Sequence, residues 1–582
     1  MFSLSLPDLR FSFAALERSS RTYTTIEANA LHESVPPDRW CITRADLRYL
    51  GQEVRNALQH GDIRPPDDGS DDFQASDTAY GPSIYTVNKQ HIMPLTQRFG
   101  KVSWALLQHP DGLDCDLFIS HAWQEGIFEF VSKVLLSWPA DARHAWCCML
   151  ANPQNLDIGS LLQSPSSSPF ALALKASTYV LVVPNHRCSI YTRLWCGYEA
   201  FRAHEEGKTV FVARAPTGKK MMVAVLWTTL AGLLGFLLGI FCSRFHGLYL
   251  LLLMLTAAAF SSVCIENQTG RKLLNRIGAF MCGALIYHWK VVIPFSDNGL
   301  LPRFTDVMQR ILLASGIVFF DLLEVDRVIG QSQREQAKQL SHGFQGSIEH
   351  ATCSKPADTA RILQEIGDRT SDVDYAIHVL LAAGMSTPTL RSVARAGVDI
   401  SGAGYTEMAF PCLDLGPFLV HGLLLVLRGV LLHRCYRWIP CLVSFCARLV
   451  LLFSLWRSAR DERCFILKMM AKMVAFMQIV ILPTVTVLQL TASEMDCVFY
   501  AITIFIMLAH IITVGFARLG MQRLAKVPFA GPCMLQLFLG RGHCSVASAA
   551  GTAPVYSTSV SAVEHESAMY SSSSDDSSEQ LG

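Results

Sequence analysis

Charge is scarce in this sequence. Only 17% of the 582 residues are Asp, Glu, Lys or Arg, and 51% are hydrophobic. Soluble domains carry about 25% charged residues. With a mean hydropathy of +0.29, this excludes a disordered chain and argues against a purely soluble one. Neither sign is in excess: 49 basic against 48 acidic residues leave a net charge of +1, so nothing global draws the chain to nucleic acid. There is no GxxxxGK[ST] and no GxGxxG, the glycine-rich loops that cradle phosphates. The 18 cysteines include no CxxC pair and no Cys/His ladder with zinc spacing, so no metal site is expected. Cys242, Cys282, Cys441 and Cys446 lie in apolar stretches and read as reduced packing thiols. The N-terminus, MFSLSLPDLRFSFAALERSSR, carries acids and bases where a signal peptide needs an unbroken apolar core. The N-terminal half is therefore expected in the cytosol.

The apolar excess is concentrated. Residues 221–242 (MMVAVLWTTLAGLLGFLLGIFC) contain no charge, and 247–265 form a second run after a short loop. About 20 apolar residues span a bilayer as a helix, so the pair over 221–265 reads as a transmembrane hairpin. A four-helix transmembrane region is expected over 416–516, with spans at 416–432, 438–456, 465–490 and 497–516. Arg428, Arg448, Lys468 and Lys472 lie within them and are expected to snorkel or to form internal pairs. Basic residues at 219–220, 271–276, 457–463 and 518–526 bias those loops toward the cytosol. Arg434 and Arg437 run against that scheme. Six spans place the N-terminal domain and the C-terminal tail on the cytosolic side, in an integral, multi-pass membrane protein with the lipid bilayer as a partner.

Residues 1–82 read as an N-terminal region whose last part, 60–82, is a Pro-, Gly-, Asp- and Ser-rich linker. Residues 321–405 read as a small helical cytosolic module, with helical spacing at 331–340, 356–366 and 373–383. The end of the chain, 517–582, is cytosolic, and its Ser-rich stretch from 545 cannot bury a core.

Short apolar runs and helical patterns alternate over 113–214. CDLFIS (115–120), HAWCCML (144–150), TYVLVV (178–183) and KTVFVA (208–213) read as strands. Helices are expected at 124–137, 169–177 and 194–206. This alternation predicts a parallel sheet with right-handed crossovers, whose ligands bind beyond the carboxyl ends of the strands.

The order of these pieces resembles the Toll/interleukin-1 receptor (TIR) domain. DLFISHAW is similar to the first TIR strand and its turn, and ANPQNLDIGSLL to the variable loop after the second strand. FALALKASTYVLVVP is similar to the next helix and third strand. SIYTRLWCGYEAF resembles the family's Trp-Cys-x-x-Glu helix, here Trp195, Cys196 and Glu199. The chain as a whole also resembles multi-pass TIR-like proteins of single-celled eukaryotes. The resemblance covers about a hundred residues and implies an α/β flavodoxin-like domain over 83–220, beside the all-α transmembrane helices. It departs from the family in one respect: the first apolar span begins where a fifth strand and last helix would follow. The stretch 289–312, in the connecting segment 266–320, reads as strand then helix and could complete the sheet.

Some TIR domains cleave NAD⁺ at the nicotinamide glycosidic bond. The resemblance makes Glu199 the catalytic candidate, and a carboxylate suits an oxocarbenium-like transition state. Ser120, His121, Trp123, Asn152, Asn155 and Trp195 are the ligand-binding candidates. NAD⁺ would be a substrate here; no resident cofactor is expected. Three functions follow. The first is a signal-transduction protein acting by homotypic TIR-like contacts. The second is an NAD⁺ glycohydrolase (nucleosidase) using Glu199. The third is a transporter or channel with a regulatory TIR-like domain, which needs polar residues of the last four spans to converge. Burial of Glu199 in a filled site would favour the scaffold over the enzyme.

Overall fold

The computed structural model describes residues 23–156, 159–241, 267–292, 300–353, 355–404, 407–431, 438–491 and 495–540. The expected span at 247–265, Arg434, Arg437 and the Ser-rich tail lie outside the described residues.

A mixed sheet of six strands organises the N-terminal part, in the order β1-β3-β2-β4-β5-β6. The strands are β1 (Ile42–Thr43), β2 (Leu117–Ser120), β3 (His144–Cys147), β4 (Tyr179–Val182), β5 (Thr209–Val212) and β6 (Met385–Ser386). The inner four are parallel, and the two short edge strands run antiparallel to their neighbours. All four residues of β2 are buried, as a strand covered on both faces requires. Its register sets Phe118 opposite Trp146 and Val180.

Side-chain alternation divides the core into two layers. Leu117, Ile119, Leu181 and Phe211 face α1 (Arg44–His60) and α2 (Ile127–Ser137), against Leu50, Val54, Phe130 and Val134. Phe118, Val180 and Val182 face the other way, onto Leu174 of α3 (Pro169–Ala176) and Tyr198 and Phe201 of α4 (Leu194–Glu205). The Phe118 and Trp146 rings stack with centroids 5.2 Å apart. A capping box starts α1, with Thr43 accepting from the Asp46 amide and Asp46 accepting from the Thr43 amide. Gly61, at φ 77°, ends it in the left-handed conformation.

Two expectations about the sheet change. Residues 289–292 are not a strand; they lie in a helix, α6 (Gln268–Val292), which packs against α5 (Gly218–Phe241). The free side of β5 is instead taken by β6, from the stretch expected to be a separate helical module. Sheet hydrogen bonding needs an extended segment beside β5. The backbone after α9 (Thr370–Ala383) supplies it, because Gly384 at φ 68° turns the chain so that its carbonyl accepts from the Val212 amide. The helices α8 (Pro356–Ile366) and α9 bury Ile362, Ile377 and Leu380 against the α4 side of the sheet. They are part of its core. The next helix is α10 (Pro388–Arg395).

Residues 60–82 also differ from a linker. Asp71 is 3% exposed. Its carboxylate accepts from the Ser83 amide at 2.7 Å, the Thr86 hydroxyl at 2.6 Å and the Arg187 guanidinium at 2.9 Å. The Phe128 amide donates to the Tyr80 carbonyl and the Ile127 amide to the Pro82 carbonyl. These bonds hold the segment as a strap against the start of α2.

Among the described residues, four helical stretches are long and apolar enough to cross a membrane: Gly218–Phe241, Ala409–Leu427, Ile439–Arg457 and Tyr500–Ala525. They overlap the expected spans at 221–242, 416–432, 438–456 and 497–516, the second starting seven residues earlier and the last ending nine residues later than expected. The expected span 465–490 lies in a longer helix, α13 (Arg460–Thr491), outside these four. The long α7 (Leu300–Ser341) packs on both α5 and α6. The C-terminal group is α11 (Leu419–Leu431), α12 (Ile439–Arg457), α13, α14 (Met495–Ala525) and α15 (Ala530–Leu539). It touches the sheet domain through Asp461, which accepts from the Thr387 hydroxyl at 2.9 Å, and through Arg460, whose guanidinium sits 4.2 Å from the Phe211 ring centroid.

Candidate functional site

The carboxyl end of β2 delivers Ser120 and His121 to the first turns of α4. Ser120 Oγ donates to Glu199 Oε2. Glu199 is 7% exposed, and Ser120 and His121 are buried beside it. Burial pushes the Glu199 carboxyl up to about 8, although the Ser120 hydrogen bond and the Arg193 charge oppose that rise. Arg193 is itself enclosed, with Nη1 buried and without a hydrogen-bond partner among the described residues. The group therefore places a largely protonated carboxyl next to a guanidinium at neutral pH.

Three thiols complete the cluster. His121 Nε2 lies 3.5 Å from Cys147 Sγ and 3.2 Å from Cys148 Sγ, and Cys196 Sγ reaches the His121 carbonyl at 3.6 Å. Burial pushes Cys148 up to about 12 and raises Cys147 and Cys196 well above the ordinary thiol range. These thiols stay protonated and are poor nucleophiles. Burial, aided by the Arg193 charge, lowers His121 to about 3. The Glu125 carboxyl sits 3.1 Å from His121 Nδ1 without hydrogen-bond alignment, and burial raises its pKa as well. The pair is thus a neutral imidazole beside a neutral acid. Such an arrangement avoids buried net charge and offers no poised base at pH 7.

The remaining candidates separate. Trp123 joins the cluster, its indole N–H donating to Cys148 Sγ at 3.2 Å. Asn152 is buried just after the helical turn Cys148–Ala151, and its Oδ1 has no hydrogen-bond partner among the described residues. Asn155 is committed elsewhere: its amide donates to the Met93 carbonyl at 2.8 Å and to Thr96 Oγ1 at 2.7 Å. Trp195 stacks on Phe170 of α3 with centroids 5.3 Å apart, so that ring face is already covered.

Sequence reasoning missed a second polar group beyond β4. Lys133 Nζ donates to Glu129 Oε1 at 2.7 Å, the Pro184 carbonyl at 2.6 Å and Gln339 Oε1 at 3.0 Å. His186 Nδ1 lies 2.7 Å from Glu129 Oε2, and its ring packs on Tyr80 of the strap at 4.2 Å. The i, i+4 spacing of Glu129 and Lys133 was the available signal. The strap, Pro184 and His186 thus occupy the strand-end region where a parallel sheet would hold a ligand. Among the described residues, no group of three or more His, Cys, Asp or Glu side chains is placed to hold a metal ion.

Compared with protein-family models, curated proteins and solved structures, the chain matches none.

Proposed function

We propose that this chain is a membrane-anchored, TIR-like signalling protein whose α/β domain works by self-association on the cytosolic side of the bilayer. The four parallel strands run in the order second, first, third, fourth along the chain, the beginning of the flavodoxin-like order. That supports the TIR resemblance. Apolar helices on the same chain confine the domain to a surface, which raises the effective concentration for weak homotypic contacts.

The burial of Glu199 carries the choice of scaffold over enzyme. Its carboxyl accepts from the Ser120 hydroxyl, is 7% exposed and lies within electrostatic reach of Cys148, Cys196 and Arg193. A glycohydrolase needs this group open to a ribose. The test uses the full chain in cell membranes. Proximity labelling between two tagged copies is expected to report self-association, and the purified protein in nanodiscs is expected to release no nicotinamide from NAD⁺. Nicotinamide release that disappears in Glu199→Gln would overturn this reading in favour of the nucleosidase. A cytosolic position is tested by protease access to an epitope in the strap.

A further inference from the structure

The membrane helices contain a polar cluster that the signalling role does not use. Asp414 opens a wide π-type turn, Asp414–Phe418, just before α11; such turns interrupt the helical ladder and recur at functional positions. Asp414 is 1% exposed and Arg448 of α12 is 6% exposed. Arg448 Nε donates to Asp414 Oδ1 at 2.8 Å, and Nη1 donates to Ser444 Oγ at 2.9 Å. His510 of α14 closes the group: Nε2 lies 3.2 and 3.3 Å from the two Asp414 oxygens, and Nδ1 lies 2.7 Å from the Ile506 carbonyl and 3.1 Å from Ser444 Oγ.

Hydrogen-bond chemistry sets the charge of this cluster. A carbonyl only accepts, so His510 Nδ1 carries a proton. The contact between Nε2 and the Asp414 carboxyl then needs one further proton between them, because a lone pair facing a carboxylate is repelled. Whether that proton sits on the imidazole or on the carboxyl, the His510–Asp414 pair is neutral in sum. The Arg448 guanidinium leaves the cluster with one positive charge.

That charge borders a cavity of about 310 Å³. Phe418, Leu425, Val474, Met477 and Ile506 supply much of its wall, with His421 and Gln478 as further polar groups, and among the described residues Asp414 is the single carboxylate in the lining. Arg448 lines it too, and its Nη2 makes no hydrogen bond to any described residue. A net positive charge against a largely apolar chamber in a membrane region is costly unless an anion meets it. The volume is at the lower end of the ~300–1,000 Å³ usual for small-molecule sites, which suits one acyl chain better than two.

We propose that this cavity binds a single-chain amphiphile with a carboxylate head, a ligand of the fatty-acid class. The head accepts a charge-assisted hydrogen bond from Arg448 Nη2, and the chain lies along Leu425, Val474 and Met477. One negative charge matches the one positive charge left by the cluster. This site is independent of the TIR-like reading and stands or falls separately.

The test uses the full chain in phosphatidylcholine nanodiscs with a photoactivatable diazirine analogue of palmitate. Irradiation is expected to label peptides containing Cys441 or Met477. Palmitate should compete, whereas its methyl ester and hexadecanol should not. Gly422→Leu adds bulk on the cavity wall, at a position where a Cβ alone would already lie in van der Waals contact with Arg448, 3.7 Å from Nη1. It is expected to lower labelling about tenfold, and Arg448→Gln to lower it by about tenfold or more, the scale of a lost charged hydrogen bond. Equal competition by the neutral ester, or wild-type labelling in Gly422→Leu, overturns the proposal. Displacement by phosphatidic acid at lower concentration than palmitate also overturns it, because the ligand would then be a two-chain lipid.

Discussion

Ser120, the last residue of β2, donates its hydroxyl hydrogen to Glu199, 79 residues later on α4. Strand and helix are thereby joined by one buried polar contact at the end of the sheet where a ligand would be sought. Glu199→Ala leaves the buried Ser120 hydroxyl without this acceptor and is expected to destabilise the protein by about 1–3 kcal/mol. Thermal unfolding of the full chain in detergent checks this, with Glu199→Gln, which keeps an acceptor, expected to lose less.

Glu199 also makes stability depend on pH. Its carboxyl titrates near 8 in the folded protein against an ordinary value of 4.5. The folded state therefore holds the proton more tightly. This contribution is fully present below about pH 4.5 and is lost as pH rises through about 8. Melting temperatures measured from pH 6.5 to 9 should decline with pH in the wild type and decline less in Glu199→Gln. Parallel profiles would contradict the assignment.

His121 acts at the other end of the scale. Burial holds it at about 3, below its ordinary 6.5. The unfolded chain takes up this proton first, so the contribution is present above about pH 6.5 and is lost as pH falls toward 3. In melting temperatures taken from pH 6.5 down to 3.5, His121→Gln should therefore lose less stability toward acid than the wild type.

Lys133 and Glu129 are both buried, and their bond of 2.7 Å ties α2 internally while Lys133 also reaches Pro184. Lys133→Met leaves Glu129 with only His186 and is expected to cost about 3–5 kcal/mol. The double change Glu129→Met with Lys133→Met removes both charges and should be milder than Lys133→Met alone. A denaturation cycle over the two singles and the double measures the difference.

Asp71 anchors the strap. Its hydrogen bonds from Ser83, Thr86 and Arg187 lower its pKa despite burial. Asp71→Ala is expected to free residues 72–80 without unfolding the sheet. Limited proteolysis and amide exchange should show faster cleavage and exchange there, with β2 and β4 unchanged.

Gly235 and Gly283 let α5 and α6 approach closely. A Cβ on Gly235 would lie 1.9 Å from the Phe280 carbonyl oxygen, and one on Gly283 1.9 Å from the Gly232 carbonyl oxygen. Small residues at such crossings are what membrane helices need to pack. Gly235→Leu should lower the melting temperature sharply, whereas Gly218→Ala, which meets nothing within 4 Å, should not.

The local elements were largely legible. The buried runs LFIS and YVLV read as strands because they are short, apolar and rich in bulky residues. The helix Pro356–Ile366 has the bounds its spacing predicts. Residues 60–82 misled because Pro, Gly, Asp and Ser describe the local backbone; they do not reveal that Asp71 finds Arg187 across the fold. The stretch at 289–292 reads as a strand in sequence and is helical in the fold, because short apolar runs fit a buried strand and a helix equally well.

The sequence by itself determined the division into an alternating α/β part and apolar helical parts, since periodicity and run length are local properties. It also placed Ser120 at the carboxyl end of a strand, whereas Glu199 was set near that end only by the TIR resemblance. Only the tertiary structure decided that β6 closes the edge of β5, that the strap covers the strand ends, and that Asp414, Arg448 and His510 meet. Each of those pairings joins residues far apart in the chain. Each is selected by the balance of burying charge and satisfying hydrogen bonds once the chain is packed, which no single stretch of sequence contains.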